Sequence, residues 1–149
     1  MTIFDPALLS AFAELVGPTA LVTSQTDMAG YLADWSGDHR GNALAVLKPS
    51  SVAQVQAIVR LCSSLGLAII PQGGNTGLVA GAIDTQADGA IIVSLERLNV
   101  IRSIDTDNFL LQADAGCVLQ RIKDTSEERG CLFPLALGSQ GSCQIGGNA

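Results

Sequence analysis

Aromatic and charged residues are both scarce in this chain of 149 residues, at 4% and 15% of the total, whereas apolar residues make up 48%. The low charge and the high apolar content exclude an intrinsically disordered chain. The scarcity of aromatics means that any core must be built from Ala, Val, Leu and Ile. The length corresponds to one ordinary domain or to a piece of a larger protein.

Basic residues are also few, with eight Lys and Arg against fourteen Asp and Glu, for a net charge of −6. Nucleic-acid binding requires cationic side chains that neutralise the phosphate backbone, so this balance argues against a nucleic acid as partner. It argues equally against binding to an anionic membrane surface.

The sequence lacks the ligands for a metal site of the Cys/His type. It has a single histidine, His39, and its four cysteines (Cys62, Cys117, Cys131 and Cys143) form no CxxC pair. We therefore predict no metal site and four free thiols in a reducing compartment. The cytoplasm is the reducing compartment that we expect by default. The start of the chain has no basic region of the signal-peptide kind, so we expect no export.

Charged side chains are missing altogether between Leu61 and Ile83, a stretch long enough for a membrane-spanning helix. The middle of that stretch, residues 71–77, contains proline and three glycines, whose backbone groups could not be satisfied in lipid. We expect no transmembrane segment.

The apolar pattern and the turn residues predict a mixed chain that begins with parallel strands and continues with antiparallel ones. A helix starts at Pro6 with Asp5 as its N-cap, and a second follows Ser50 or Ser51 and ends at Gly66. With the strands on either side, the second helix forms a βαβ unit and implies a parallel pair. The strands are expected at 43–47, 67–70, 90–94, 100–104 and 109–113, and a last helix at 118–129.

Two uncharged, glycine-rich loops carry the clearest chemical signal. The first, residues 71–81, follows a strand but has neither the lysine of a Walker A loop nor the glycine spacing of a Rossmann fingerprint. It is therefore either a tight turn or a nest of backbone N–H groups for a phosphate. The second loop, 138–148, has the same composition. Together the loops suggest a neutral groove that holds a large cofactor by backbone contacts.

Several motifs together carry a resemblance to a known family. They occupy residues 31–37, 71–78, 94–99, 133–135 and 141–148. In this order and spacing they resemble the N-terminal half of the FAD-linked 2-hydroxy-acid dehydrogenases. That family includes D-lactate dehydrogenase, D-2-hydroxyglutarate dehydrogenase and the FAD subunit of glycolate oxidase, and its flavin domain is shared with vanillyl-alcohol oxidase.

The resemblance implies an α+β chain with the PCMH-type FAD-binding fold. A βαβ-containing N-terminal subdomain would be followed by the start of an antiparallel-sheet-and-helix subdomain. Residues 1–30 would form a helical lead-in, and residues 31–149 an FAD-binding domain that is truncated at its C-terminal end.

The same resemblance implies the residues that contact FAD. The first loop would wrap the pyrophosphate, and the second loop, together with residues 134–135, would line the flavin and ribityl side. The implied residues are Pro71, Gln72, Gly73, Gly74, Asn75, Thr76, Gly77, Leu78, Pro134, Leu135, Gly141, Ser142, Cys143, Ile145, Gly146, Gly147 and Asn148. Relatives that tether FAD covalently have a histidine where this chain has Asn75, so non-covalent FAD is expected, with a link to Cys143 as the alternative.

The implied activity is hydride transfer from the Cα of a D-2-hydroxy acid to flavin N5. The family's catalytic and substrate-binding residues lie beyond Ala149, so we predict no catalytic residue in this chain and no turnover by the chain alone. Two alternatives are a non-catalytic fragment that binds flavin or a partner, and an alcohol or sugar oxidase with the same fold. Of the other notable side chains, we expect His39 to be a solvated loop residue, Trp35 a packing anchor and Cys62 part of the core.

Overall fold

The computed structural model describes residues 6–83, 85 and 89–149 and contains four helices and six strands within those ranges. The helices are α1 (Pro6–Val16), α2 (Gln25–Met28), α3 (Val52–Leu65) and α4 (Leu119–Glu127). The strands are β1 (Leu21–Val22), β2 (Ala43–Leu47), β3 (Ile69–Gln72), β4 (Ala90–Ser94), β5 (Ile101–Asp105) and β6 (Leu110–Ala113). Single turns of 3₁₀ helix cover Pro18–Ala20 and Ile145–Gly147.

Four strands form one sheet in the order β1-β2-β4-β3. Strands β2 and β3 each pair with β4 in parallel, and β1 joins the edge in the antiparallel sense. The predicted direct pairing of β2 with β3 is therefore wrong, because β4 lies between them. All five residues of β4 are buried, as a strand that is covered on both faces requires.

Helix α3 follows the capping rules that its sequence suggested. Ser51 is the N-cap, and its hydroxyl accepts a hydrogen bond from the backbone N–H of Gln54 at 3.2 Å. At the other end, Gly66 has a left-handed φ of 66° that favours glycine. The helix buries Ile58 and Cys62 against the sheet, so Cys62 is a core residue as expected.

Helix α1 packs into the same core. Phe12 and Val16 join Ile58 and the buried side chains of β2 and β4 in one cluster. Burial of a side chain such as Phe12 stabilises the fold by about 1.5–3 kcal/mol. The helix begins at Pro6 as predicted; the proposed cap, Asp5, lies outside the described residues. The domain boundary at residue 31 stays a prediction.

Strands β5 and β6 form the predicted antiparallel hairpin as a separate two-stranded sheet. Its turn is closed by Asp105, whose carboxylate accepts hydrogen bonds from the backbone N–H groups of Asp107 and Asn108 and from the Asn108 side chain. These bonds, that of the Asn108 side chain foremost, lower the pKa of Asp105. The hairpin is largely exposed.

The differences from the predicted boundaries are small. Strand β3 lies two residues further along the chain than expected, and α4 is shorter at both ends. The stretch between residues 20 and 41, in which no individual helix or strand was predicted, contains β1 and α2. Among the described residues, no helix is long and apolar enough to cross a membrane.

Candidate cofactor site

The first glycine loop leaves the sheet at the carboxyl end of β3 and is closed by the side chain of Gln72. This side chain is buried, with 1% exposure. Its Nε2 group donates hydrogen bonds to the carbonyl oxygens of Tyr31 at 2.9 Å and Ala82 at 2.7 Å. Gln72 thus joins the beginning of the loop to its end and to the segment around Tyr31.

Asn75 fastens the middle of the same loop. Its Nδ2 group donates to the carbonyl oxygen of Ala33 at 2.7 Å. Its φ of 51° lies in the left-handed region, which asparagine tolerates better than most residues. Both amide side chains of the loop therefore bind the segment 31–33.

That segment is itself held at the edge of the sheet. The Tyr31 hydroxyl donates to the Glu96 carboxylate at 3.1 Å, and Lys48 forms an ion pair with the same carboxylate at 3.0 Å. The Lys48 ammonium also lies 5.1 Å from the centre of the Tyr31 ring. The hydrogen bond with the Tyr31 side chain, followed by the hydrogen bond with Glu96 and its charge, raises the pKa of Lys48.

The following turn is built on Asp34. Its buried carboxylate accepts hydrogen bonds from the Ser36 hydroxyl at 2.7 Å and from the backbone N–H of His39 at 3.1 Å. The Ser36 bond foremost, then the His39 backbone, lowers the pKa of Asp34. The His39 ring lies 3.4 Å from the same carboxylate, but its side chain is 61% exposed, so it is a solvated loop residue as expected.

The second glycine loop is held by its main chain. The N–H groups of Ile145 and Gly146 donate to the carbonyl oxygens of Cys117 and Ala115, both at 2.8 Å. In return, the N–H of Leu119 donates to the Cys143 carbonyl at 3.0 Å. This ladder buries Cys143, and the Asn148 side chain lies 3.3 Å from its sulfur.

The two loops meet backbone to backbone at Gly74. A Cβ atom on this residue would collide with the carbonyl oxygen of Ser142 and lie 3.1 Å from the Cα of Cys143. Only glycine allows this close approach. At the neighbouring Gly73, a Cβ atom would lie 3.4 Å from both Cβ and Oε1 of Gln144.

Two clefts open beside this junction, with Thr76 lining both. Their volumes are about 210 Å³ and 470 Å³, and together they fall in the range of roughly 300–1,000 Å³ that is typical of ligand pockets. The residues that line both clefts are uncharged. The first cleft is lined by Pro71, Gly73, Gly74, Asn75, Thr76, Gly77, Val79, Gly81, Ala82, Cys143, Gln144, Gly147 and Asn148. The second cleft is lined by Trp35, Thr76, Leu78, Gly138, Ser139, Gly141 and Ser142. The structure thus contains the neutral groove that the loop compositions suggested.

The backbone of the first loop has hydrogen-bonding capacity to spare. Within the described ranges, no main-chain N–H from residue 73 to residue 82 donates to a main-chain carbonyl. A run of free N–H groups in a tight loop is the arrangement that binds phosphate without a cationic side chain.

Most of the predicted contact residues line the clefts, but five do not. Gln72 faces inward, Ile145 and Gly146 belong to the backbone ladder, and Pro134 and Leu135 line neither cleft. Their roles toward a cofactor stay predictions.

Trp35 was expected to be a packing anchor, and this is wrong. Its side chain is 63% exposed and lines the second cleft. Asp34 and Ser36 on either side close the turn among themselves, which leaves the indole outside the core.

Gln144 is one of the cleft residues that the predicted contact set left out. The residue is 8% exposed, and its Oε1 atom has no hydrogen-bond donor among the described residues. An unpaired buried acceptor costs about 1–3 kcal/mol. The only signal in the sequence was an amide side chain beside the paired glycines 146–147.

Comparison with known families identifies the class of domain to which this groove belongs. Residues 43–149 match the family model described as an FAD binding domain, and the chain belongs to that family. The groove fits such a cofactor as far as the described residues go. N–H groups without a main-chain acceptor suit its phosphates, and the Gln144 oxygen, which has no donor, suits a hydroxyl or N–H group.

Named relatives are similar to this chain along almost its whole length. The chain is 35% identical over 144 residues to the mitochondrial D-2-hydroxyglutarate dehydrogenase of Arabidopsis thaliana, covering 97% of this chain and 25% of that protein. It is 38% identical over 135 residues to the mitochondrial enzyme of that name from Bos taurus, covering 91% and 24%. For the D-2-hydroxyglutarate dehydrogenase of Xanthomonas citri, the identity is 37% over 144 residues, covering 97% and 30%. The chain thus spans about a quarter of the length of these relatives.

Solved structures agree on the fold. Alkyldihydroxyacetonephosphate synthase superposes with a TM-score of 0.85 over 97% of this chain and 31% of that one, at 17% identity. The p-cresol methylhydroxylase structure gives a TM-score of 0.72 over 83% and 24%, at 20% identity. The fold is therefore the PCMH-type α+β fold that the sequence motifs predicted.

The expected cytoplasmic location is contradicted by the same relatives, because those from Arabidopsis and cattle are mitochondrial proteins. The prediction depended on the free thiols, and the structure does leave all four cysteines free, with burial raising the pKa of Cys62 and Cys117. Free thiols are typical of reducing compartments, but they do not distinguish one reducing compartment from another.

Proposed function

We propose that this chain binds FAD non-covalently in the groove between its two glycine loops. The observation that carries the proposal is the contact of Gly74 with the backbone of Ser142, which brings two uncharged loops together and leaves the clefts on either side of Thr76. In this arrangement the free N–H groups of residues 73–82 bind the pyrophosphate.

Asn75 supports the non-covalent assignment. By the motif resemblance, relatives that tether FAD covalently have a histidine at this position. This chain has Asn75, whose amide is bonded to the Ala33 carbonyl. Cys143, the other candidate for a tether, is buried with its sulfur beside Asn148. Neither side chain offers an exposed nucleophile to the flavin.

We infer further that the native protein oxidises a D-2-hydroxy acid. The relatives named D-2-hydroxyglutarate dehydrogenase support this substrate class, with D-lactate and glycolate as the other members that the motif resemblance suggests. A bound flavin would supply the redox chemistry by accepting a hydride. The residues of this chain bind and orient the cofactor, and we assign none of them to the substrate.

Cofactor binding is tested by purifying the native gene product and recording its absorption spectrum before and after acid precipitation. We expect a flavin spectrum in the native protein and release of all flavin into the supernatant. Flavin that stays with the precipitated protein would contradict non-covalent binding. A native protein that takes up no FAD would contradict the proposed function as a whole.

Substrate class is tested with the same preparation, by following the reduction of a dye with D-2-hydroxyglutarate, D-lactate and glycolate, and with the L-enantiomers as controls. Reduction with at least one of the three acids, and with the D-enantiomer of a chiral one, is expected. The 149-residue chain mixed with FAD should give no turnover. Equal rates with both enantiomers, or no rate with any of the acids, would overturn the assignment.

A further inference from the structure

The main chain around Gln144 fixes where its side chain lies. Gln144 has an extended backbone and forms a bridge with Val118, between the hydrogen bonds that Cys143 and Ile145 make with residues 117–119. Residues that pair in this way point their side chains away from the strand axis in a fixed direction. The Gln144 side chain therefore lies against Gly73 and lines the first cleft.

The amide oxygen of Gln144 is the exceptional atom of this cleft. The Oε1 atom is fully buried and has no hydrogen-bond donor among the described residues. The residue as a whole is 8% exposed. Buried polar side-chain atoms nearly always have a partner in native structures. By contrast, the other buried glutamine of the site, Gln72, uses its Nε2 for two hydrogen bonds.

We propose that Gln144 Oε1 accepts a hydrogen bond from the bound cofactor and is a determinant of its affinity; this inference rests on the proposed binding of FAD in the groove. An amide oxygen only accepts hydrogen bonds, and the phosphates of FAD are acceptors too. The partner is therefore a donor group, either on the flavin and its ribityl chain or on the adenosine. Gln144 and the free N–H groups of residues 73–82 thus recognise different parts of the same molecule.

The absence of a side chain at Gly73 leaves space next to the amide oxygen of Gln144. A Cβ atom there would lie 3.4 Å from Gln144 Oε1, at the limit of ordinary contact. With glycine, the position beside the buried oxygen is free of any side chain.

The test uses the native gene product and the variants Gln144→Met and Gln144→Leu, both of which keep the side-chain volume and remove the amide. The exposed Gln56 on α3 supplies the matched control, Gln56→Leu. Dissociation constants for FAD are measured by quenching of flavin fluorescence, and unfolding temperatures are measured without FAD. FMN and ADP are then titrated separately.

We expect both Gln144 variants to bind FAD about tenfold more weakly, as the loss of one hydrogen bond predicts. Without FAD, their unfolding temperature should be unchanged or higher, because the variants no longer bury an unpaired acceptor. A purely structural role would instead lower that temperature. A loss of affinity for FMN places the donor on the flavin half, and a loss for ADP places it on the adenosine half.

Two results would overturn the inference: an FAD affinity within twofold of the native value in both variants, or a lower unfolding temperature in both without FAD. If the native protein itself binds no FAD, the proposed function fails together with this inference. If the native protein binds FAD and the Gln144 variants bind it equally well, the role of Gln144 is refuted but the proposed function is not.

Discussion

The two glycine loops have similar compositions but are held in place by different hydrogen bonds. The first loop depends on two side-chain amides, those of Gln72 and Asn75, which reach across to residues 31–33. The second loop depends on main-chain bonds to residues 115–119. The first loop can therefore be loosened by changing one side chain, whereas the second can be disturbed only through its backbone or its packing.

This difference leaves each loop with different groups for a ligand. Because side chains hold the first loop, its N–H groups have no main-chain acceptor among the described residues. In the second loop, N–H groups donate to the main chain of residues 115–119. The side-chain oxygen of Gln144 has no hydrogen-bond donor among the described residues. Two neutral loops thus supply donors on one side of the groove and an acceptor on the other.

The largest expected effect comes from the point where the loops meet. Gly74→Ala places a methyl group against the Ser142 carbonyl, and we expect the free energy of unfolding to fall by about 3 kcal/mol or more. Urea unfolding of the variant measures this change. The matched control is Gly77→Ala in the same loop, where the added methyl group meets nothing within 4 Å; equal losses in both variants would show that the loops do not touch.

The second-largest expected effect compares the loss of a side-chain amide in the first loop with the same loss in the second loop. Gln72→Leu keeps a buried side chain of similar size but leaves the carbonyl oxygens of Tyr31 and Ala82 without their donor, at a cost of about 2–3 kcal/mol. The same change in the second loop, Gln140→Leu, removes only a contact with Lys123 and should cost less than about 0.5 kcal/mol. Urea unfolding of the two variants gives the comparison, and similar costs would contradict it.

Asn75 should show a smaller effect with two components. Asn75→Gly removes the bond to Ala33 and should cost about 1 kcal/mol. Asn75→Ala also places an alanine at a φ of 51°, so its cost should be higher, at about 1.5 kcal/mol. Thermal unfolding of both variants measures the order, and a more stable alanine variant would show that the left-handed conformation is not required.

The smallest effect concerns the turn at Asp34, next to the segment that fastens the first loop. Hydrogen bonds from Ser36 and the His39 backbone lower the pKa of Asp34 in the folded chain, so its carboxylate stabilises the fold above its unfolded pKa of about 3.9. This contribution is lost as the pH falls below that value. Asp34→Asn should therefore lose less stability between pH 6 and pH 3 than the native chain, as urea unfolding at the two pH values would show; an identical loss would contradict the assignment.

Local patterns were enough to predict most elements of the fold. The strand over 90–94, the caps Ser51 and Gly66, and the hairpin turn at Asp105 all follow from apolar runs and turn chemistry within a few residues. The order of the strands did not follow, because the insertion of β4 between β2 and β3 depends on contacts between residues far apart in the chain.

The candidate site was predictable in composition but not in side-chain direction. The sequence placed both glycine loops, yet Gln72 faces inward because β3 extends two residues further than its apolar run indicated. Trp35 lies in the groove because its neighbours close a polar turn without it. The burial of Gln144 depends on a bridge with Val118, which no local pattern indicates.

The central position of β4 also sets the order in which the chain can fold during synthesis. Strands β2 and β3 have β4 between them, so they are separated by about 9.5 Å, twice the spacing of paired strands. A nascent chain that ends before residue 90 therefore has two strands that cannot pair with each other and a core that lacks its middle. Formation of this sheet therefore requires that β4 has left the ribosome, and until then the first glycine loop has no fixed sheet edge from which to extend.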